Sequence, residues 1–508
     1  MHVAKTISNS ILVKNSVYNL IGMALPLVVG VLSVPYAISG LGKDLFGILT
    51  LIWVILGFLS LLDFGLARAT TKFIAESIKN NQRSEIPSLF WTSIYFNLIL
   101  GAAAAVIFYF LCPVLIEKVL NVDNNFQNTS IESFRLLAFF LPILLVSLCL
   151  KGILGAAQRF DLVNMVHIPV NMSGFIIPAL AHFFPMDLYQ IVLYILIFRF
   201  IGGMAYFILC FKIYPECKSS YSFQKETSKK LFVFGGWVSI TGFISPLLVS
   251  IDRFFIGSML NMQSLTFYSA PLEALQRLRI FPQSIMNTLF PEFSQGLGRT
   301  TEKRLQSLYW KAFKFIFMIS GYICGIVFVF SSDILRIWLG QEFVVNSSAL
   351  VHIFSLGIIF NFLAQVPFTY LQGIGRPDIP AKYHLMETPV YLIVLYLFIT
   401  KIGLLGAVIA WCLRVIVDFF LLFYKSMELL PGKYIPESEK PYLQRLGLAL
   451  IIAVVIFLIV QLKVHSIVFK SINIVLVTII FMVTSYQYII APEEKVLFRR
   501  FTLKNSNG

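Results

Sequence analysis

Charged residues are scarce in this chain. Asp, Glu, Lys and Arg make up 13% of its 508 residues, whereas about a quarter is usual for a soluble domain. Apolar residue types make up 58%, and the mean hydropathy is +0.83. So few charged side chains could not cover that much apolar surface in water, and we therefore expect the lipid bilayer to be the solvent of most of the chain.

Cysteine pairs and catalytic sequence motifs are also lacking. The six cysteines are scattered and none has C-x-x-C spacing, which argues against a zinc site and a disulfide framework. The predicted loops carry no Ser/His/Asp set, metal-ligand cluster or phosphate-binding glycine loop, and the longest outer loop, 117–132, is too short for a folded domain. We therefore expect a protein that is not an enzyme and has neither a metal nor a cofactor.

Long apolar stretches recur along the whole chain. A helix needs about 20 apolar residues to cross the hydrocarbon layer, and the sequence predicts an all-α membrane protein of about fourteen such helices. The predicted spans are 12–38, 45–70, 87–116, 133–156, 162–184, 188–211, 231–257, 267–293, 312–335, 349–371, 380–400, 403–424, 444–462 and 471–490.

The net charge of +15 is distributed between these spans in a regular way. Of the 40 Lys and Arg residues, 28 lie in the predicted inner segments and 7 in the outer ones. This asymmetry follows the positive-inside rule and predicts that both termini are cytoplasmic. Nucleic-acid binders instead concentrate basic residues on a soluble face, so we expect no nucleic-acid partner.

The sequence also repeats itself with an offset of about 217 residues. Two segments share Leu, Arg, Asp and His at matching positions, namely Leu154, Arg159, Asp161 and His167, and Leu371, Arg376, Asp378 and His384. Six helices per repeat give both halves the same orientation in the membrane. The predicted organisation is a six-helix lobe over 1–215, a second over 216–430, and two extra helices with a cytoplasmic tail over 431–508.

Several charged residues fall inside predicted spans, where each costs roughly 2.5–3.5 kcal/mol on insertion scales. Arg199, Arg277, Arg279 and Arg414 lie about 15–18 Å below the outer ends of their spans, close to the membrane midplane. A guanidinium group matches phosphate oxygens, so these arginines are candidates for binding an anionic cargo. Structural bridges between helices, or contacts with backbone carbonyls, remain the alternative.

Other charged residues extend this candidate site. The spacing of Glu273 and Arg277, and of Arg414 and Asp418, predicts ion pairs within one helix. Histidines titrate near neutral pH, which suits a coupling role, although packing roles are equally open. We assign substrate binding to Arg199, Arg253, Arg277, Arg279 and Arg414, and coupling or gating to Asp63, Arg68, Asp252, Glu273, Asp418, His167 and His384.

Short motifs in a fixed order resemble one family over nearly the whole chain. They are Leu45-Phe46-Gly47-Ile48-Leu49, Leu62-Asp63-Phe64-Gly65-Leu66, Gln158-Arg159-Phe160, Ile251-Asp252-Arg253 and Leu371-Gln372-Gly373-Ile374-Gly375-Arg376-Pro377. They are similar to the polysaccharide and O-antigen flippases of the multidrug/oligosaccharidyl-lipid/polysaccharide exporter superfamily. The resemblance implies two lobes around a central basic cavity that work by alternating access.

The resemblance also implies a function and a location. The cargo would be a polyprenyl-pyrophosphate-linked oligosaccharide, moved across a bacterial inner membrane for O-antigen, capsule or related polysaccharide assembly. The expected partners are this cargo, membrane lipids, a proton or cation as coupling ion, and polysaccharide polymerase machinery. A drug or cation antiporter of the same superfamily and a membrane-embedded polysaccharide polymerase or ligase are the alternatives.

Overall fold

The structure is a computed structural model that describes residues 25–26, 28–57, 66–80, 82–157, 159–218, 250–294, 302–431, 435–437, 439–464, 466–492 and 495. Within these ranges all regular secondary structure is helical, which confirms the predicted all-α membrane fold. The chain divides into two compact units, Met1–Ala270 and Pro271–Gly508. The predicted boundaries at 215 and 430 stay predictions, and each unit is described by itself.

The first unit contains eight described helices and part of a ninth. They are α1 (Val28–Leu41), α2 (Lys43–Gly57), α3 (Leu66–Lys79), α4 (Ile86–Val114), α5 (Asn124–Ala156), α6 (Phe160–Leu180), α7 (Leu188–Ile213), α8 (250–259) and the first part of α9 (Met262–Arg277).

Helix α5 is central to the first unit, since it packs against α3, α4 and α7. Small residues allow the close approach of α4 and α5, because a Cβ atom on Gly101 would lie 2.4 Å from the Cα of Pro142. Apolar side chains such as Phe90, Ile153 and Cys210 fill the space between these helices. This packing fixes the positions of the polar side chains that α5, α6 and α7 carry.

The second unit contains the remainder of α9 and six further helices. These are α10 (Ile280–Ser294), α11 (Glu302–Trp338), α12 (Gln341–Gly373), α13 (Asp378–Leu429), α14 (Lys440–Lys463) and α15 (Ile467–Thr484).

Two of these elements depart from the predicted spans. The predicted span 267–293 is divided between α9 and α10, since residues 278 and 279 form a turn. Helix α13 covers the predicted spans 380–400 and 403–424 and bends sharply between them, where Gly403 has a φ of 59°. That φ favours glycine, and the bend produces a first arm (378–401) and a second arm (404–429).

Helices α14 and α15 pack against α11 through both apolar and charged contacts. Lys314 and Glu439 form a fully buried ion pair with 3.1 Å between Nζ and Oε2. Toward the other end of α11, Asp333 pairs with Lys470 at 2.9 Å. Between them the Tyr322 ring stacks on Phe481 with centroids 4.1 Å apart. The predicted extra helices are therefore joined to α11 along much of its length.

The outer surfaces of these helices are apolar. Nine helices among the described residues are long and apolar enough to cross a membrane. Large side chains such as Ile107, Phe110 and Leu462 are more than two-thirds exposed, as expected of helices that face lipid. The predicted count of fourteen stays a prediction, because parts of spans 12–38, 45–70 and 231–257 lie outside the described residues.

Candidate functional site

A cluster of basic and amide side chains lies inside the first unit. Lys151 on α5 places its Nζ 3.1 Å from Nε2 of His167 on α6, and Asn171 places its Nδ2 3.0 Å from the same nitrogen. An ammonium group can only donate hydrogen bonds, so the lone pair of the His167 nitrogen is the acceptor. The imidazole is therefore neutral in this arrangement.

Arg199 on α7 completes this group, which we call the cationic cluster (Lys151, His167, Asn171 and Arg199). The guanidinium acts electrostatically on both Lys151 and His167. Its Nε is buried and has no hydrogen-bond partner within the described part of the chain. Because two like charges lie together without a described acid beside them, the cluster is suited to an anionic ligand.

The equivalent histidine of the second unit has the opposite environment. His384 on the first arm of α13 lies 3.3 Å from a carboxylate oxygen of Asp418 on the second arm, measured at Nε2. Its ring also stacks on Phe368, with centroids 6.1 Å apart. Phe368 occupies the position that the 217-residue offset assigns to Lys151, so a cation of the first unit is replaced here by an aromatic ring.

Glu387 on the first arm of α13 and Arg414 on the second arm lie near His384 and Asp418. We call these four residues the carboxylate cluster. Glu387 is 7% exposed, and neither of its carboxylate oxygens has a hydrogen-bond partner among the described residues. Asp418 repels its charge and Arg414 attracts it. A buried carboxylate in such surroundings is costly to keep ionised, which is typical of a site that binds a proton or cation.

The predicted ion pairs within single helices have different outcomes. Arg277 and Glu273 do form one, with 3.5 Å between Nη2 and Oε2. The pair predicted between Arg414 and Asp418 is wrong. Asp418 pairs with His384 on the facing arm, and the Arg414 guanidinium lies 5.4 Å from the centroid of the Tyr391 ring. The sharp bend at Gly403 brings the two arms together, and contacts across them replace the contact along one arm.

Arg279 lies in the turn between α9 and α10 rather than within a continuous helix. Its side chain is exposed, and its amide donates to the Gln276 carbonyl at 3.1 Å. Broken helices at membrane depth occur where the backbone is buried in protein or lines a cavity. The substrate-binding role of Arg279 stays a prediction.

Asp252, a predicted gating residue, and Arg253, a predicted substrate-binding residue, are both buried in α8. The hydroxyl of Tyr268 donates to the Asp252 carboxylate, so this acid is already engaged by α9. Asp63 and the side chain of Arg68 lie outside the described residues.

The sequence repeat is visible in two loops of the same local structure. The Arg159 guanidinium donates to Asp161 at 2.8 Å, and Arg376 donates to Asp378 at 2.9 Å. Each arginine amide also donates to the leucine carbonyl five residues earlier. These matching loops support the predicted repeat, although the relation between the complete halves stays a prediction.

Three residues of these clusters, Lys151, Asn171 and Glu387, are not among the site residues predicted from the sequence. Lys151 is one of the 28 basic residues in the predicted inner segments, and it lies five residues inside α5, about 8 Å from its end. Glu387 is an acid inside the predicted span 380–400, three residues after His384, and that position was the available signal.

Comparisons with known proteins assign the chain to one family and find a shorter match to a second. The model of a family described as polysaccharide biosynthesis protein matches residues 12–297. A second model, MatE, matches residues 238–397. The first match covers more than half of the chain.

One curated relative supports the same assignment, and two solved structures share the fold. A Shigella flexneri protein named "Putative O-antigen transporter" is 30% identical over 415 residues, which cover 81% of this chain and 96% of that protein. The lipid II flippase MurJ in an inward closed conformation is 15% identical, with a TM-score of 0.70 over 94% of this chain and all of that one. An inward-facing multidrug transporter of the MATE family has a TM-score of 0.61 and 15% identity, over 82% of this chain and 95% of that one.

Proposed function

The chain belongs to the polysaccharide biosynthesis protein family, and from this membership we propose that it is a flippase for a lipid-linked oligosaccharide. The cargo is a polyprenyl-pyrophosphate-linked oligosaccharide destined for O-antigen, capsule or a related surface polysaccharide. The protein works in the bacterial inner membrane with both termini cytoplasmic. It hands its cargo to polysaccharide polymerase machinery.

The cationic cluster is the observation that carries this proposal. Lys151 and Arg199 provide two positive charges and His167 is neutral, while a pyrophosphate carries negative charge and many acceptor oxygens. The guanidinium binds two such oxygens at once, and an ammonium group adds a point charge. Arg277, Arg279 and Arg414 of the second unit also contribute to cargo binding.

The carboxylate cluster supports a separate coupling function in the second unit. We assign a coupling proton to Glu387, with His384 and Asp418 as its neighbours. Protonation removes a buried negative charge and leaves Arg414 without the carboxylate that attracts it. The charge state of this cluster then biases the alternation between inward and outward access.

A drug or cation antiporter is the second candidate, because the MatE model matches residues 238–397. Such a protein needs acids in its binding site, and Glu387 and Asp418 provide them in the second unit. The cationic cluster of the first unit would instead repel a cationic drug. The two candidates therefore differ in the charge of the ligand that the first unit binds.

A binding experiment on the purified protein separates them. Affinity is measured for a polyprenyl-pyrophosphate disaccharide and for a lipophilic cationic dye, with wild type, Lys151→Met and Lys212→Met. Lys212 is an exposed lysine on α7 and serves as the control for loss of one positive charge. We expect Lys151→Met to weaken binding of the pyrophosphate lipid and Lys212→Met to leave it unchanged. Tighter dye binding than lipid binding by wild type would favour the antiporter.

A further inference from the structure

The second half of helix α4 has an exposed apolar face. Its exposed side chains recur every three or four residues, as expected of one side of a helix. Ile99, Val106 and Phe110 are 64%, 59% and 72% exposed. Ala102 and Ala103 between them are exposed as well, and such small side chains allow another helix to approach closely. We call these five residues the α4 face.

In the predicted repeat, α4 and α5 correspond to α11 and α12, and one ring contact gives the register. The Arg135 guanidinium lies 4.8 Å from the centroid of the Tyr109 ring. In the second unit, the rings of His352 and Phe328 have centroids 5.0 Å apart. Arg135 and His352 differ by the 217 residues of the repeat, and the two aromatic residues differ by 219. An offset of 219 therefore aligns α4 with α11.

The part of α11 that corresponds to the α4 face is covered by other helices. At the offset of 219, Gly321 corresponds to Ala102. A Cβ atom on Gly321 would lie 2.9 Å from a side-chain carbon of Leu450 on α14. The next residue, Tyr322, stacks on Phe481 of α15. In their most apolar stretches, 44% of the α11 residues are buried but only 17% of the α4 residues. The described helices therefore cover this face in the second unit and leave it exposed in the first.

One charge of each sign lies beside the outer end of the α4 face. Glu132 and Arg135 are three residues apart on α5, a spacing that permits an ion pair within one helix. The Arg135 guanidinium lies on the Tyr109 ring instead, and its buried Nε has no hydrogen-bond partner among the described residues. Glu132 is exposed. Within the described part of the chain, both charges are therefore available to a partner.

These two charges decide which occupant fits the α4 face. A lipid phosphate would pair with Arg135, but it would repel the Glu132 carboxylate one turn away. A second copy, related by a two-fold axis along the membrane normal, presents the same two charges to the first. About 4.5 Å of helix rise separates the two positions, and an arginine side chain spans that distance. Each charge then meets one of opposite sign, so the surface is complementary to itself.

We propose that two copies of this chain associate side by side in the membrane through the α4 face, and that Arg135 of each copy pairs with Glu132 of the other. Both copies have the same orientation in the membrane. The apolar side chains of α4 pack together in the interface, and the two ion pairs lie at its outer end. The interface uses no residue of the cationic or carboxylate clusters, so this inference does not rest on the proposed function.

Crosslinking of the full-length protein in vesicles tests the association. Val114 continues the α4 face by one turn toward its outer end and is exposed, so Val114→Cys places a thiol beside the interface. The six native cysteines are buried, and a short bis-maleimide therefore joins copies through the new thiol. Ile337→Cys, at the outer end of α11, is the matched control because Ile337 is exposed too.

Charge variants of the Val114→Cys protein test the reciprocal ion pairs. They are Glu132→Arg, Arg135→Glu, the double exchange Glu132→Arg/Arg135→Glu, and Arg336→Glu. Arg336 is an exposed arginine at the outer end of α11 and serves as the control for a charge reversal elsewhere. In a further sample, the Glu132→Arg and Arg135→Glu proteins share the same vesicles, because one copy of each kind restores two pairs of opposite charge.

We expect a crosslinked dimer with Val114→Cys and none with Ile337→Cys. Each single charge exchange should lower the dimer yield about tenfold, whereas Arg336→Glu should leave it unchanged. The double exchange and the mixed sample should both restore the yield. This recovery distinguishes pairing between two copies from any other role of Arg135.

Three results would overturn the proposal. The first is a dimer yield for Val114→Cys no higher than that for Ile337→Cys. The second is a loss in both single variants without recovery in the mixed sample, which would favour a lipid or another protein on the α4 face. The third is an unchanged yield in Glu132→Arg. Glu132 is exposed and its replacement leaves the packing intact, so this variant decides the outcome even if Arg135→Glu fails to fold.

Discussion

The buried ion pair between Lys314 and Glu439 is predicted to dominate the stability of the α11–α14 contact. The Lys314 side chain is 0% exposed, that of Glu439 is 4% exposed, and the distance between their charged atoms is 3.1 Å. Removing one partner breaks this ion pair and leaves the other charge buried. Such losses cost about 3–5 kcal/mol, so we expect Lys314→Met or Glu439→Gln alone to lower the free energy of unfolding by that amount.

Replacing both partners should cost much less than the sum of the single changes. In Lys314→Met/Glu439→Leu neither charge remains to be desolvated, and Met can pack against the Tyr442 ring, which lies 5.1 Å from Nζ in the native protein. Buried pairs replaced by apolar residues of similar size are often neutral in stability. The double variant should therefore lie within about 1–2 kcal/mol of wild type.

An exposed pair of the same charge type provides the control. Arg376 and Asp378 are separated by 2.9 Å, but their side chains are 48% and 41% exposed. Asp378→Asn should cost less than about 1 kcal/mol. Unfolding is followed by titration with a denaturing detergent for all four variants. Equal losses for the buried and exposed pairs, or a loss in the double variant as large as the two single losses together, would show that the buried pair does not behave as a desolvated ion pair.

Three further predictions concern function and topology. Arg199→Ala should weaken binding of a pyrophosphate lipid by about 10–150-fold, which corresponds to the 1.5–3 kcal/mol of a charged hydrogen bond. Arg199→Lys should restore part of the lost affinity. Equal binding by wild type and both variants would contradict this role of Arg199. Glu387→Gln should abolish the dependence of transport on a proton gradient and keep cargo binding, and a retained dependence would remove Glu387 from coupling. Burial raises the pKa of the Cys217 thiol to about 12. Below that pH the thiol stays protonated, so a maleimide should not label it in the folded protein. Cysteines introduced at positions 225 and 500 should be labelled from the cytoplasmic side, and labelling from outside would reverse the predicted topology.

The sequence was sufficient for the helical membrane fold because hydropathy reports burial in lipid directly. Charge-free stretches such as 86–116 cannot be stable in any other way. The repeated Arg-Asp loops were also predictable, since residues two apart, such as Arg159 and Asp161, make their contact locally.

The partners of buried charges could not be predicted in the same way. Spacing of four residues predicted that Arg414 pairs with Asp418, but the bend at Gly403 gives Asp418 a partner on another arm, His384. Lys151 and Glu387 are ordinary charges in the sequence, and their importance depends on which side chains other helices bring near them. Contacts between helices are set by packing, which local periodicity does not encode.

We propose that the protein moves a lipid-linked anionic oligosaccharide and holds its pyrophosphate with arginines. The most direct test is translocation of a labelled polyprenyl-pyrophosphate oligosaccharide in vesicles that contain wild type or Arg199→Ala/Arg279→Ala, with Lys212→Ala as control. We expect rapid translocation by wild type and Lys212→Ala, and loss of translocation in the double variant despite normal membrane insertion. Full translocation by the double variant would contradict it.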